Sequence, residues 1–402
     1  MAANQKSETK TGPLEGIRVI ELGHMIAGPY SGQVFADFGA DVIKVEPPEK
    51  GDPMRVWGRG KYPLWWTICA RNKRCITVNL REKEGQDIIK KLVEQADIVV
   101  ENFRPGTLEK WGLGYEDLKA VNKKIILVRV SGYGQTGPYS QRAGYAAIGE
   151  AMGGMRYLSG YPDRRPSRTG LSLGDTITAL YATIGALAAL QNRHRTGEGQ
   201  VVDCALYEAV LATMEATIPE YTVSGYIRER SGSILPNVAP SNIYKCKDGD
   251  ILIAANQDSV FQRLCNAMEQ PALAEDKRFF DHTARGANQV ELDELIDGWT
   301  SNFTLEQMDA LMEEHGVPCG KVYRAPEMLE DAHYQAREAI IDVPHEEWGD
   351  LKMQNVVPKL SGTPGGVKWP GAKLGQHNGD VYRGLLDMSA DEIAQLKDKK
   401  II

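Results

Sequence analysis

Ile17-Arg-Val-Ile-Glu-Leu22 and Asp41-Val-Ile-Lys-Val-Glu46, separated by one helical stretch over 27–38, decide the fold. Each is a short run rich in β-branched residues, and Pro47-Pro48 ends the second. That is the pattern of a strand. The alternation continues outward. Cys75-Ile-Thr-Val-Asn-Leu80 reads as a third strand, followed by an amphipathic helix from about Glu82 to Gln95. Asp97-Ile-Val-Val100 and Lys124-Ile-Ile-Leu-Val-Arg-Val130 flank a helix near 107–120. Strands separated by single helices imply an α/β protein with a parallel sheet covered on both faces. Ligands of such sheets bind outside the carboxyl ends of the strands. The loops over 23–26, 47–60, 101–106 and 131–139 are therefore the ones that bear on function.

From Ala143 to about Gly225 the pattern is mostly helical, and the segment near 226–240 reads as a linker. A smaller mixed unit follows. Ser241–Ala255 suggests a hairpin turning at Lys247-Asp-Gly249, then helices near 258–268, 290–300 and 304–315, closed by Val317–Tyr323. More irregular strand follows from about 330, with a last helix near 390–398. The expected division is a disordered polar tail over 1–12, a large domain over 13–225, a small domain over 226–328, and a closing segment over 329–402.

Composition narrows the class. Hydrophobic residues make up 42% and charged residues 25% of 402 positions, as in ordinary globular proteins. A net charge of -7 argues against a nucleic-acid partner. No apolar run approaches the ~20 residues that span a bilayer, so no membrane partner is expected, and a cytoplasmic address follows by default. Cys69, Cys75, Cys204, Cys246, Cys265 and Cys319 form no Cys-x-x-Cys, and the seven histidines show no ligand spacing. No metal is expected.

The candidate chemistry lies in Leu171-Ser-Leu-Gly-Asp-Thr-Ile-Thr-Ala-Leu180. Asp175 follows a glycine at the mouth of an apolar helix expected from Thr176 to about Arg193. The positive end of the helix dipole favours an ionised carboxylate there, which suits a nucleophile. Asp175 equally suits a plain N-cap. Gly132-Tyr-Gly-Gln-Thr-Gly137 fits the dinucleotide expression and follows a strand, but Pro138-Tyr-Ser-Gln continues it and no helix opens. Thr196-Gly-Glu-Gly-Gln200 is a turn between helix and strand.

Read together, these segments resemble one family over some 360 residues. They include Leu14-Glu-Gly-Ile-Arg-Val-Ile-Glu-Leu22, Ala27-Gly-Pro29, Phe38-Gly-Ala-Asp-Val-Ile-Lys-Val-Glu-Pro-Pro48, Gly51-Asp-Pro53 and Asn72-Lys-Arg74. Further on stand Glu101-Asn-Phe-Arg-Pro-Gly106, Ser131-Gly-Tyr-Gly-Gln-Thr-Gly-Pro138, Gly174-Asp175, Gly316-Val-Pro-Cys-Gly320 and Leu374-Gly-Gln-His377. The family is the class III CoA-transferases of CaiB/BaiF type, which includes formyl-CoA and carnitine CoA-transferases.

The resemblance implies a Rossmann-like large domain built from both termini, an inserted small domain and an interlocked homodimer. The active site would then lie between the large domain and the partner's small domain. It assigns Asp175 as nucleophile, passing through an aspartyl anhydride and an aspartyl-CoA thioester, with CoA and acyl-CoA as substrates and no permanently bound cofactor. By motif position, CoA contacts fall on His24, Met25, Ile26, Ala27, Ala70, Lys73, Asn102, Phe103, Lys110, Ser131 and Tyr133. Lys73 and Arg74 otherwise read as a solvated pair at a strand entrance, and Lys110 as an exposed helix residue. Pro47 and Ser131 stand where some members carry arginine and lysine, and Arg104 supplies a replacement cation.

Related α-methylacyl-CoA racemases pair the aspartate with a histidine near position 145. Tyr145 stands there instead, and a phenol of pKa ~10 is a poor exchanger of α-protons at neutral pH. Transferase is favoured over racemase on that ground. The glycine-run loop of oxalate-using members is absent before the small domain, so short dicarboxylic acids are expected, with succinyl-CoA as donor and malate, glutarate or citramalate as acceptor. Arg164, Arg165 and Arg168 are offered for a distal carboxylate, or else coat a surface loop. An intramolecular CoA transferase and a non-catalytic CoA-binding protein remain as alternatives.

Overall fold

The computed structural model describes residues 12–402. Apart from Gly12, the expected tail lies outside the described residues. The central sheet has six parallel strands: β1 Arg18–Glu21, β2 Asp41–Glu46, β3 Arg74–Thr77, β4 Ile98–Glu101, β5 Ile126–Ser131 and β6 Val201–Ala205. Their spatial order is 3-2-1-4-5-6, the dinucleotide-fold order, which reverses between β1 and β4. The register sets Val19 against both Val42 and Ile98, and Ile98 against Ile126.

Period-two alternation builds the two faces. Ile20, Ile43, Ile76, Val99 and Leu127 enter one buried cluster, which the helix Lys83–Val93 and the carboxyl-terminal residues Val381, Tyr382 and Ile401 complete. Val19, Val42, Ile98, Val100, Ile126 and Val128 enter the other. There the helices Ala27–Asp37 and Leu173–Thr196 cover the sheet. Ala182, Ala186 and Ala189 bring the longer helix in closely, and the Ser31 hydroxyl donates to Ala179 O at 3.0 Å.

Leu173–Thr196 is 24 residues long and apolar enough, by length and composition, to cross a membrane. This corrects the expectation that no apolar run comes near that length. Its alanine face lies on the sheet. Glycines break the expected helix near 107–120 into Thr107–Lys110 and Tyr115–Val121, with Gly112 at φ +60° between them.

The chain divides into two compact units. The larger comprises the residues up to Met155, Thr169–Ala216 and Gln335–Ile402; the smaller comprises Arg156–Arg168 and Thr217–Tyr334. The break falls at 216/217 rather than 225/226 and at 334/335 rather than 328/329, and the smaller unit also takes in residues 156–168. Sequence periodicity does not reveal such an excursion, because 156–168 lies between two helical stretches of the larger unit. Within the smaller unit, Ser241–Lys245, Asp250–Ala254 and Cys319–Lys321 form an antiparallel sheet. Tyr244, Phe261, Leu292, Ile296, Met308 and Met312 lie in its core.

Candidate active site

Three loops meet where the strand order reverses. Asn102, just past β4, clamps the loop after β1 in both directions: His24 N donates to Asn102 Oδ1 at 2.8 Å, and Asn102 Nδ2 donates to His24 O at 2.8 Å. The amide fits because Gly23 has no side chain; a Cβ there would stand 2.9 Å from Asn102 Oδ1. Met25 takes φ +65°, a strained conformation for a side-chain-bearing residue, worth ~1–2 kcal/mol. Its N–H is held by Asp52 Oδ1 at 3.1 Å.

Behind this loop lies a buried charge network. Lys44 pairs with Glu21 at 3.1 Å and Asp52 at 2.8 Å, and Lys73 pairs with Glu21 at 2.7 Å. All four side chains are essentially inaccessible to water. Against burial, which favours the neutral amine, Asp52, Glu21 and Glu46 hold Lys44 protonated. Burial opposes ionisation of Asp52 too, yet Lys44 and the Met54 N–H keep its carboxyl below the usual range. His24 sits at the edge of this network. Burial, reinforced by the Lys44 ammonium, lowers its pKa to about 4, so the ring is neutral at pH 7. At the end of β4, burial raises Glu101 to about 7 although Arg129 pairs with it at 2.7 Å.

Asp175 belongs to the helix rather than preceding it. The helix begins at Leu173 with Ser172 as N-cap, which puts Asp175 in its first turn. The buried Glu150, on the helix Ala146–Met152, accepts from Gly174 N at 3.2 Å. It thereby satisfies one of the amides left over at the helix start. Gly174 allows this approach, since a Cβ would meet Glu150 Cγ at 3.0 Å and Ala146 O at 3.2 Å. The N-cap reading of Asp175 is therefore displaced: Ser172 holds the cap position and Glu150 serves a first-turn amide.

A cavity of about 300 Å³ opens at these strand ends. Asp175 lines it together with His24, Met25, Ile26, Ala27, Asn102, Phe103, Arg104, Ser131 and Tyr145. Ten of the residues singled out from sequence thus meet in one place. A second cavity, about 810 Å³, shares His24 and Phe103 with the first and has Pro47, Lys50, Arg81, Trp111 and Lys400 in its walls.

The other candidates lie elsewhere. Ala70 is buried beside Ile26, Met54 and Trp66. Lys73 is neither a solvated residue nor a surface cation, because its ammonium is committed to Glu21 and to Pro29 O at 2.6 Å. Arg74, read with it as solvated, pairs with Asp41. Lys110 is exposed and lines neither cavity. Tyr133 packs edge-on against Tyr139, ring centres 5.9 Å apart. Arg164, Arg165 and Arg168 are exposed and belong to the smaller unit.

Sequence reading missed two residues. Glu150 had a visible signal, a lone carboxylate in the apolar run Ala146-Ala-Ile-Gly-Glu-Ala-Met152. Arg142 lines the Asp175 cavity from the loop before that helix and had no signal beyond its charge. Gly132–Gly137 forms a turn with Gly134 and Gly137 at positive φ, and the next helix begins only at Ala146, so the dinucleotide expression is incidental.

Fold and site together define an α/β protein with a carboxylate at a helix start, facing a ligand cavity at the switch point of a six-stranded parallel sheet. Residues 14–378 match the model of CoA-transferase family III, and the chain belongs to that family. It is 57% identical over 394 residues to the succinyl-CoA–D-citramalate CoA-transferase of Chloroflexus aurantiacus, covering 97% of this chain and 98% of the relative. Identity to the alpha subunit of the succinyl-CoA–L-malate CoA-transferase of Chloroflexus aurantiacus is 41%, covering 97% of this chain and 92% of that one. The crystal structure of a CAIB/BAIF family protein from Brucella suis superposes with a TM-score of 0.84 at 35% identity, covering 93% of this chain and all of that one. The protein is an enzyme, a CoA-transferase acting on CoA thioesters and carboxylic acids.

Proposed function

We propose that this enzyme moves CoA from succinyl-CoA to a short dicarboxylic acid of the citramalate, malate or glutarate type, with Asp175 as the covalent nucleophile. The observation that carries the reading is the meeting of Asp175 in one cavity with the loops after β1, β4 and β5. The relatives' named substrates support the choice of acids.

A carboxylate oxygen of Asp175 attacks the thioester carbonyl, the C–S bond breaks and CoA leaves as thiolate. The thiolate then attacks the Asp175 carbonyl of the resulting anhydride, freeing the donor acid as its carboxylate and leaving an aspartyl-CoA thioester. The acceptor carboxylate attacks that thioester, the C–S bond breaks to give a second anhydride and CoA thiolate, and the thiolate attacks the acceptor's carbonyl to form the new acyl-CoA. Asp175 is regenerated, and no net proton is consumed. Anhydride and thioester lie close enough in energy for each step to run both ways, which is the general advantage of covalent catalysis. First-turn amides of the helix Ala27–Asp37 have no intrahelical acceptor and are suited to the tetrahedral oxyanions. In this reading the larger cavity takes the phosphorylated end of CoA, with Lys50, Arg81 and Lys400 as cations where Pro47 supplies none.

A two-base racemase is disfavoured on two counts. Tyr145 occupies the expected histidine region, and His24, which does line the cavity, is too weak a base at a pKa of about 4. The proposal includes a homodimer, supported by the exposed Leu180, Tyr181, Ile184 and Leu187 along one helix. It also includes a cytosolic place of action, which six free thiols suit.

The test is a reaction in D2O of the purified protein with succinyl-CoA and a panel of short acids, read by mass spectrometry. New CoA esters without deuterium support intermolecular transfer and identify the acceptor. CoA shifted between the two carboxyls of one acid would mean intramolecular transfer. Deuterium at the α-carbon with no new ester would mean racemisation.

A further inference from the structure

We propose that Arg142 is the specificity-determining residue for the dicarboxylic substrate, its guanidinium gripping the distal carboxylate while the near carboxyl reacts at Asp175. The inference rests on the dicarboxylic reading above and names the residue that enforces it.

Among the described residues of the larger unit that line the Asp175 cavity, Arg104 and Arg142 are the two formal cations. Neither has a carboxylate partner among the described residues, whereas Arg55, Arg71, Arg74 and Arg129 of the same unit are paired with Glu46, Asp37, Asp41 and Glu101. An unpaired guanidinium in a ligand cavity is available for an anion, and its planar fork matches a carboxylate with two hydrogen bonds.

Arg142 is also held in place. Its Cζ lies 3.6 Å over the Tyr139 ring, which packs edge-on against Tyr133. The Arg142 N–H donates to Tyr139 O at 2.8 Å. The loop itself is pressed onto the end of β5 by two glycines, since a Cβ on Gly132 would stand 3.0 Å from Gly144 Cα. Stacking fixes the plane of the guanidinium and leaves its N–H edges for a ligand.

The two arginines differ in position. Arg104 follows Phe103, which lines both cavities. Arg142 leads through Tyr145 into the helix Ala146–Met152, whose Glu150 supports the start of the Asp175 helix. Arg142 is the one of the two whose guanidinium lies over an aromatic ring, which sets its fork for a carboxylate in the Asp175 cavity.

The experiment compares kcat/KM for glutarate and for valerate, acceptors of equal carbon number that differ by one carboxylate, in the full-length enzyme and in Arg142→Met. Wild type is expected to prefer glutarate. Arg142→Met is expected to lose about 10- to 100-fold on glutarate and to hold valerate within about twofold. Arg142→Lys, which keeps the charge without the fork, is expected to fall between them. Equal losses on both acids would mean a structural role and overturn the inference. An unchanged preference in Arg142→Met, or a preference lost only in Arg104→Met, would overturn it while leaving the dicarboxylic reading intact. No preference in wild type would instead refute that reading, and this inference with it.

Discussion

Replacing His24 by glutamine tests whether the site is organised by the buried charges behind it. In the unfolded chain the imidazole titrates near 6.5, and in the folded protein near about 4. Above pH 6.5 the ring is neutral in both states and contributes no pH dependence. As pH falls below 6.5 the unfolded chain binds a proton that the folded protein cannot, so stability drops by up to ~1.4 kcal/mol per pH unit. At about pH 5 the loss reaches ~2 kcal/mol, and by about pH 4 it reaches ~3 kcal/mol. The sign follows from a depressed pKa: the stabilisation is present above the unfolded value and is lost on acidification. Urea unfolding at about pH 8 and about pH 5, for wild type and His24→Gln, isolates this contribution, because other titrating groups cancel between the two proteins. Wild type is expected to lose ~2 kcal/mol more than the variant between these conditions. Equal losses would refute the claim that burial, reinforced by Lys44, holds His24 neutral.

Other consequences follow from the same geometry. Lys44→Met strands the buried Asp52 carboxylate and leaves Glu21 with Lys73 as its one lysine partner, so chemical denaturation should show a loss of ~3–5 kcal/mol; a loss under ~1 kcal/mol would mean that water reaches these groups. Asp175→Asn keeps a polar side chain in a half-buried first-turn position. Its unfolding free energy should stay within ~1 kcal/mol of wild type while CoA transfer is abolished. Retained transfer would sink the covalent mechanism.

The parallel sheet was legible because its strands are short β-branched runs, and β2 occupies the predicted Asp41–Glu46 without a shift. The first-loop and second-crossover residues of the cavity were legible too, since they follow strands whose carboxyl ends must face a ligand. Long-range pairing was not. Lys73 looks solvated beside Arg74 until the partner Glu21 on another strand is known. The helix carrying Asp175 begins earlier than its sequence suggests because Glu150, from a different helix, serves a first-turn amide. That residues 156–168 join the smaller unit was not legible either, because they lie between two helical stretches of the larger one. Arg142 lines the cavity from a loop held by the Gly132–Gly144 crossing, a contact between backbone segments that no local pattern encodes.

The central claim is that the Asp175 carboxylate becomes covalently activated during transfer. Its most direct test is to incubate the enzyme with succinyl-CoA, reduce with borohydride, digest and sequence the peptides by mass spectrometry. An aspartyl-CoA thioester is reduced to the alcohol, so the account predicts succinyl-CoA-dependent conversion of Asp175 to homoserine with matching loss of activity. An unmodified Asp175 in an enzyme that loses activity, or reduction of Glu150 or Glu101 to 5-hydroxynorvaline instead, would contradict it.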